Sequence, residues 1–371
     1  YISHSFPPPD RPMSNVGGMQ RVATELYKAL KAHPHVALSE KLLRSSWRWN
    51  HVRTPIFLGK LLAQVPRMVE EQDIDTILFS SMVTAATAPY LVRRLPPTNV
   101  TLAAISHGRD VTLPVPPYQW YIPRIFRAVD IVLPVSSATA RACRNRGLPA
   151  SKCQVVPNGV DPSRFENTAG TLPQTFRPST GELVLCSVGR QVERKGFTWF
   201  VREVMPALPD HVHYYLAGDG PRHDRIAETA RTHGVAQRVH LLGKIPEEEL
   251  VGLYRRSDLF IMPNIPVEGD MEGFGVVMLE AGMSGSPTIG ARLEGICDVI
   301  TDGRNGHLVE PEDPHAFIQK IHYYAEHRDE LHRLSERTRA YTETTFGWTA
   351  IARQHLDALY RPEFEPAAVE T

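Results

Sequence analysis

The sequence contains few cysteines and no long apolar run. Only 4 of its 371 residues are cysteine, and none of them forms a CxxC pair or another zinc-ligand spacing. This excludes a disulfide-built fold and a structural zinc site, so we expect free thiols in a reducing compartment. No stretch approaches the roughly 18–20 apolar residues that cross a bilayer, and the first residues lack a signal-peptide pattern. We therefore expect a cytoplasmic protein.

Two nucleotide-binding fingerprints are also absent. Neither GxGxxG nor GxxxxGK[ST] is complete anywhere in the chain. Their absence disfavours a dinucleotide-dependent oxidoreductase and a P-loop enzyme. Because no recognised nucleic-acid-binding module is present, we predict no nucleic-acid partner.

The net charge is zero, but the charge is unevenly distributed. Overall, 41 Lys and Arg balance 41 Asp and Glu. Residues 1–170 contain 20 basic and 11 acidic residues, a net charge of +9, whereas residues 171–371 carry −9. This asymmetry predicts different partners for the two halves, with the basic half facing an anionic one.

Short apolar runs alternate with longer amphipathic segments, which predicts a doubly wound α/β protein with two parallel sheets. The predicted strands are Asp75–Ser80, Val100–Ser106, Asp130–Val135, Leu183–Val188, Val212–Ala217, Val239–Leu242, Leu259–Met262 and Ser286–Ile289. The predicted helices include Met19–Lys31, Phe197–Ala207, Arg222–His233, Glu247–Arg256 and Val276–Met283.

A stretch without apolar periodicity predicts the domain boundary. Phe165–Gly181 is rich in Thr, Pro and Gly, which is typical of a linker. We therefore predict an N-terminal domain of residues 1–168 and a C-terminal domain of residues 180–345. A cleft between the carboxyl ends of their two sheets would be the ligand position.

Two candidate ligand segments lie in the basic half. Gly17 and Gly18 precede the first predicted helix, where glycines let backbone N–H groups approach an anion. For a lone pair of glycines, however, a plain loop-to-helix turn is the favoured explanation. His107 directly follows a predicted strand, so its imidazole is placed to hydrogen-bond a substrate hydroxyl, although a lone histidine is often structural.

Two further segments lie in the acidic half. Gly189, Arg190 and Lys195 follow a predicted strand and lead into a helix, a combination that favours a diphosphate site. Glu272 lies in a glycine-rich loop, and Glu280 follows in the apolar helix after it. A buried Glu280 would need a hydrogen-bonding partner such as a ribose diol.

Two possible metal motifs have simpler explanations. Asp73 and Asp75 spell DxD, but they precede a strand instead of ending one. His211 and His213 fit the alternation of a strand start. We therefore predict no metal site.

The ordered set of motifs resembles the large GT4 family of retaining glycosyltransferases, which have the GT-B fold. The resemblance covers most of the chain and is densest in the second half. The segments that carry it are VLPVSSATARACRNRGLPASKCQVVPNGVDPSRF (132–165), VGRQVERKGF (188–197), LAGDGP (216–221), VHLLGK (239–244) and EGFGVVMLEA (272–281).

The resemblance implies a role for each candidate residue. Arg190 and Lys195 would bind the diphosphate of a nucleotide-sugar donor, and Glu280 would hold its ribose. Glu272 would contact the donor sugar, while His107 would lie near the reacting carbon. The backbone of further residues would bind the donor at its phosphates, sugar and base. These residues are Gly17, Gly18, Gly189, Gly273, Phe274, Gly275, Val276, Lys244 and Ile245.

The resemblance also implies the chemistry. The enzyme would be a hexosyltransferase that retains anomeric configuration, uses a UDP- or GDP-sugar as substrate, and requires neither metal nor other cofactor. Glu272 and Glu280 would hold substrate, in contrast to the acid–base pair of a hydrolase. A tail helix at about 349–362 would pack back on the first domain. A sugar phosphorylase or sucrose-synthase-like enzyme, or a non-catalytic sugar-nucleotide-binding protein, remains the alternative.

The basic half contains two segments with interleaved cations and aromatic residues. Lys41–Arg67 has six cations and no acid, and Tyr118–Arg127 has the same character. Such composition suits the surface of an anionic membrane, although an ordinary solvated helix face explains it too. The membrane hypothesis predicts peripheral binding at the inner face of the cell membrane and a carbohydrate or lipid-linked acceptor.

Overall fold

The computed structural model describes residues 1–8, 18–45, 47–96, 100–167, 170–173, 175–176, 178–179 and 181–360. Gly17 lies outside the described residues, and so do the side chains of residues 46–51. The chain divides into two compact units. Residues 1–159 and the chain after Gly347 form the first unit, and Val160–Gly347 forms the second.

The first part of the chain alternates strands and helices. Its elements are β1 (Ile2–Phe6), α1 (Gly18–Ala32), β2 (Lys41–Arg44), α2 (Trp47–Gln72), β3 (Thr76–Phe79), α3 (Met82–Ala85), α4 (Ala88–Leu91), β4 (Thr101–Ser106), α5 (Arg109–Thr112), α6 (Pro116–Ala128), β5 (Ile131–Pro134) and α7 (Ser137–Arg144).

The second unit repeats this alternation. Its elements are α8 (Pro162–Asn167), β6 (Leu183–Val188), α9 (Phe197–Glu203), β7 (Val212–Ala217), α10 (His223–Thr232), β8 (Val239–Gly243), α11 (Glu247–Arg256), β9 (Leu259–Met262), α12 (Val276–Met283), β10 (Thr288–Ala291), β11 (Gly306–Val309), α13 (Pro314–Glu326) and α14 (Arg328–Phe346). The chain then returns to the first unit as α15 (Trp348–Tyr360).

Each unit contains one parallel sheet. In the described residues the first sheet has the order β2-β1-β3-β4-β5, and the second has the order β11-β10-β9-β6-β7-β8. The central strands are apolar and buried, because helices of the α/β crossovers cover both faces of a parallel sheet, whereas the edge strands β2 and β8 are mostly half-buried. The prediction of two doubly wound parallel sheets is confirmed. In each sheet the strand order reverses once, at β1/β3 in the first and at β6/β9 in the second.

The predicted linker lies inside the second unit. Residues 162–167 of the chain form α8, and the division between the units falls earlier, after Gly159. Residues 165–167 of the predicted linker thus belong to α8, and Phe176 is buried against Tyr215 of β7.

The second unit begins and ends at neighbouring points. The Val160 N–H donates to the Phe346 carbonyl over 2.8 Å, and Val160 also forms a bridge with Gly347. Immediately beyond these residues, Gly159 and Trp348 meet within the first unit. A Cβ atom on Gly159 would lie 2.6 Å from the Trp348 ring, so this contact requires glycine.

Each sheet has its own apolar core. The first core is centred on large buried side chains of helices and strands, among them Leu61, Phe79 and Phe126. The core of the second unit includes Phe200, Tyr214 and Phe317. None of the described helices combines the length and hydropathy that a membrane span requires.

Candidate active site

The candidate segments of the second half converge where the strand order of its sheet reverses. β6 and β9 are neighbours in the sheet, although β7 and β8 separate them along the chain. The loops after β6 and β9 therefore leave the same edge in opposite directions and open a crevice between them. In open α/β sheets this crevice is the usual ligand position.

Gly189 and Gly218 bring two backbones together at this edge. The Gly189 N–H donates to the Ala217 carbonyl over 3.0 Å. Gly218 has φ +124°, and a Cβ atom there would lie 2.0 Å from the Gly189 carbonyl oxygen. The predicted loop after β6 is thus packed directly against the LAGDGP segment, which fixes its path.

Lys195 and Glu272 form a buried ion pair at the same edge. Lys195 ends a short 3-10 turn before α9, and Glu272 lies in the loop before α12. The Lys195 Nζ is 2.5 Å from Glu272 Oε2. Burial opposes ionisation of Glu272, but Lys195 and Arg194 together lower its pKa to about 2. Glu272 is therefore ionised and held between two cations.

Arg194 binds two acids of the extended loop. Its Nη1 is 2.5 Å from Glu272 Oε2, and its Nε donates to Asp270 Oδ1 over 3.1 Å. The sequence analysis did not select Arg194 or assign a role to Asp270. Because its partners lie more than seventy positions away along the chain, only the folded structure brings this guanidinium to the site.

Two more side chains hold the backbone and carboxylate of Glu272. The Asn264 amide donates to Glu272 Oε2 over 3.3 Å. The Glu294 carboxylate accepts the Glu272 N–H. The carboxylate of Glu272 is therefore oriented by three side chains, from the segments after β6 and β9.

The start of α12 presents backbone N–H groups. Gly275 precedes the helix in the left-handed conformation, with φ +84°, and no side chain of the described residues caps it. Phe274 is buried and its ring packs against Phe346 at a centroid distance of 6.3 Å. Packing of Phe274 thus fixes the segment that leads into α12, and the first turn of a helix is a usual place for an anionic ligand.

Glu280 lies on α12 and is only 4% exposed. Its Oε1 accepts from Arg164 Nη1 over 2.7 Å, and its Oε2 accepts from the Tyr254 hydroxyl over 3.0 Å. Arg164 also pairs with Glu247. The sequence analysis found Glu280 but missed Arg164 and Tyr254, although Arg164 lies within a quoted family segment.

The remaining predicted residues of the second unit lie on loops at the same edge. Arg190 follows β6 and its side chain is exposed. Lys244 and Ile245 follow β8, next to Gly243. Because the Gly218 N–H donates to the Gly243 carbonyl over 2.7 Å, the loop after β8 is tied to the loop after β7.

In the first unit, His107 follows β4 with its ring fixed. Its Nε2 donates to the Ser80 carbonyl oxygen over 2.9 Å, because a carbonyl oxygen can only accept. The buried Asp110 carboxylate accepts from the His107 and Met82 N–H groups. Gly18, the other predicted residue described in this unit, begins α1 and is exposed.

His4 lies close to this cluster and was missed by the sequence analysis. It is on β1, and its Nδ1 is 3.3 Å from the Ser81 hydroxyl. Burial lowers the pKa of His4 to about 4, against the charge of Asp110, and His107 lowers it further. Polar groups on and directly after the adjacent strands β1, β3 and β4 therefore lie close together.

The two motifs that the sequence analysis rejected as metal sites make other contacts in the structure. The Tyr360 hydroxyl donates to Asp75 over 3.0 Å. His213 Nδ1 lies 3.0 Å from His240 Nε2, between neighbouring strands β7 and β8. The absence of a metal requirement stays a prediction.

Comparison with known families assigns both units. Residues 16–164 match the family described as Glycosyltransferase Family 4, and residues 182–327 match the family described as Glycosyl transferases group 1. The two matches correspond to the two sheets.

Similar proteins of known description fall in the same class. The chain is 29% identical over 296 residues to a GDP-mannose-dependent alpha-(1-6)-phosphatidylinositol monomannoside mannosyltransferase of Mycolicibacterium smegmatis, a match that spans 76% of each chain. It is 25% identical to an N-acetyl-alpha-D-glucosaminyl L-malate synthase of Bacillus anthracis, over 93% of this chain and 94% of that protein.

The fold also matches solved structures. Anabaena HepE in complex with UDP-glucose aligns with a TM-score of 0.69 and 19% identity, covering 96% of this chain and 98% of that one. At this level of identity the likeness concerns the fold, which is GT-B.

Proposed function

The chain belongs to the GT4 family of glycosyltransferases, and from this premise we propose that it transfers a sugar from a nucleotide diphospho-sugar with retention of anomeric configuration and without a bound metal. Glycosyltransferase activity on nucleotide sugars follows from the family. Retention, metal independence and the acceptor are our proposals. The observation that carries the proposed metal-free chemistry is the buried pair of Lys195 and Glu272, held by Arg194 beside the start of α12.

The charges at this edge suit a departing diphosphate. Breaking the bond between the anomeric carbon and the phosphate oxygen leaves negative charge on the phosphate. Lys195, Arg190 and the N–H groups at the start of α12 would stabilise that charge in place of a metal. The acceptor oxygen would attack the same face, and its proton would move to the departing phosphate oxygen.

Glu272 would act as a sugar holder in this scheme. Its carboxylate already has three donors, so it is oriented and ionised before the donor binds. An ionised carboxylate accepts hydrogen bonds from sugar hydroxyls but cannot donate a proton to a leaving group. This supports the role that the resemblance implies and disfavours that of a general acid.

Nucleotide-sugar binding is tested by thermal shift. Wild-type protein is screened with UDP-, GDP- and ADP-sugars, and a ligand at about 100 times its dissociation constant adds about 2.7 kcal/mol of stability. GDP-mannose belongs in the first set because the M. smegmatis relative is named for it. A screen in which no nucleotide sugar shifts the midpoint would contradict the proposal.

Catalysis is tested by hydrolysis of the best donor. We expect Lys195→Ala and Glu272→Ala to reduce turnover at least about 100-fold, the cost of removing one charge-stabilising group. Arg202→Gln is the control, because Arg202 pairs with the neighbouring Glu203 on an exposed surface. Metal independence predicts full activity in EDTA. Retention predicts that the NMR spectrum of the product shows the anomer of the donor.

A lipid-linked acceptor is supported by one face of the first unit. α4 lies between α2 and α6 and contacts both. The three helices expose apolar side chains, with Ile56 57% and Trp120 74% exposed. The exposed cations of this face are Arg53, Lys60, Arg67, Arg93, Arg94, Arg124 and Arg127. Exposed apolar residues among cations suit an anionic membrane surface.

Sedimentation with vesicles tests this membrane proposal. We expect binding to phosphatidylglycerol vesicles that weakens with salt, because each basic residue near the surface contributes about 1 kcal/mol. The double variant Ile56→Ser/Trp120→Ser should bind at least fivefold less. Tyr323→Ser, an exposed residue of the second unit, should bind like wild type. Equal binding to neutral and anionic vesicles would contradict the proposal.

A further inference from the structure

Arg164 connects α8, the first helix of the second unit, to the proposed ribose site. It lies on α8, and its Nη1 reaches Glu280 Oε1, 116 positions further along the chain, over 2.7 Å. Its guanidinium also pairs with Glu247 and lies 5.0 Å above the Phe165 ring. Contacts on three sides fix this guanidinium next to Glu280.

The carboxylate of Glu280 is held at both oxygens. Arg164 donates to Oε1, and the buried Tyr254 hydroxyl donates to Oε2 over 3.0 Å. The two donors come from α8 and α11, whereas Glu280 is on α12. With both oxygens bound, the plane of the carboxylate cannot rotate, and its orientation is set before any ligand arrives.

Arg164 also supplies the charge that a buried carboxylate requires. Burial opposes the charged guanidinium, but Glu280 and Glu247 raise its pKa above the usual range. Arginine therefore stays protonated at every working pH, and Glu280 has a permanent countercharge. Without it, a carboxylate this deeply buried would take up a proton or become costly to keep charged.

We propose that Arg164 is a positioning residue that keeps Glu280 ionised and oriented to accept both hydroxyls of the donor ribose. An ionised carboxylate offers about four acceptor sites, to which Arg164, Tyr254 and ribose hydroxyls can donate. A protonated Glu280 would offer fewer acceptor sites. The inference rests on the proposed function, and it makes selectivity for ribose depend on a residue outside the segment 272–281 that carries Glu272 and Glu280.

The test compares ribose with dideoxyribose nucleotides. Calorimetry measures binding of UDP, GDP and their 2′,3′-dideoxy forms to wild-type protein and to Arg164→Gln. In wild type, the ribonucleotide should bind at least tenfold more tightly than its dideoxy form, about the effect of one charge-assisted hydrogen bond. In Arg164→Gln this ratio should fall below about twofold while the dideoxy affinity stays unchanged.

Controls separate positioning from folding. Arg164→Lys keeps the charge but cannot bind both carboxylates at once, so its ratio should lie between the two, about threefold below wild type. If Arg164→Gln does not fold, the affinity ratio of Arg164→Lys tests the positioning role instead. Arg202→Gln should keep the wild-type ratio. Equal losses for ribose and dideoxyribose nucleotides, or an unchanged ratio, would overturn the inference. Failure of wild type to bind either nucleotide would instead overturn the proposed function.

Discussion

Replacing Lys195 by Met tests the buried charges at the scale of one residue. The change leaves the buried Glu272 carboxylate with Arg194 as its remaining cation. Removing one partner of a buried pair costs about 3 kcal/mol, measured as the free energy of unfolding in urea. The double variant Lys195→Met/Glu272→Gln should recover at least half of that loss. Lys28→Met is the control, because its pair with Glu25 is exposed and contributes under about 0.5 kcal/mol.

Two buried histidines predict acid sensitivity of the first unit. Burial lowers the pKa of His4 and of His355 to about 4, below the 6.5 of an unfolded chain. Between pH 6.5 and 4 the unfolded chain therefore binds protons that the folded chain does not. Stability should fall as the pH falls through this window, by up to about 1.4 kcal/mol per pH unit for each histidine.

Urea titrations at pH 4.5, 5.5, 6.5 and 7.5 measure this slope. We expect His4→Gln and His355→Gln each to make the slope shallower by close to one proton, relative to the same variant at pH 7.5. A slope identical to wild type in both variants would show that neither histidine is responsible.

The candidate residues found from the sequence lie in local motifs, whereas those missed depend on partners that are distant in the chain. Glu272 and Glu280 occur in one short motif, and Lys195 follows a strand in a glycine-bracketed loop, so local order sufficed. Arg194 and Tyr254 act through partners on other elements. A lone arginine in a sequence does not indicate which carboxylate it will meet, and only the fold supplies that information.

At the scale of elements, strands with a clear apolar run were predictable, and two short edge strands were not. β6, β7 and β9 have the predicted bounds, because they are continuous apolar runs buried on both faces. β2 and β11 were missed. Each is a four-residue edge strand with polar residues, so neither has the pattern of a buried strand. β2 lies inside the segment that was interpreted only as a basic surface.

The contact between the loops after β6 and β7 should not tolerate a side chain. In Gly218→Ala the new Cβ would meet the Gly189 carbonyl at 2.0 Å, with a backbone at φ +124°. We expect a loss of about 2–4 kcal/mol in urea unfolding. Gly59→Ala is the matched control, since Gly59 is on α2 with open space around it and should gain about 0.5–1 kcal/mol. Similar effects of the two changes would contradict this account.

At the scale of the whole molecule, the two units should lose stability separately. Trp348 on α15 is buried in the first unit, and Trp199 is buried against Phe317 in the second. Replacing a buried tryptophan by Ala costs about 3–5 kcal/mol. Hydrogen exchange should show Trp348→Ala deprotecting α1 and α15, and Trp199→Ala deprotecting α9 and α13. Deprotection of both units by either change would show that they unfold together.

The hydrogen bond from the Val160 N–H to the Phe346 carbonyl has a consequence for engineering. Because the two ends of residues 160–347 meet, the second unit is an insertion into the first, and the two units are not simply consecutive along the chain. Adjacent ends are the condition under which a block can be grafted or a chain circularly permuted at little entropic cost. Residues 160–347 thus form a block that can be exchanged as a whole. Under the proposed function, exchanging this block for the matching block of a relative would change the nucleotide-sugar preference, while the first sheet keeps its own sequence.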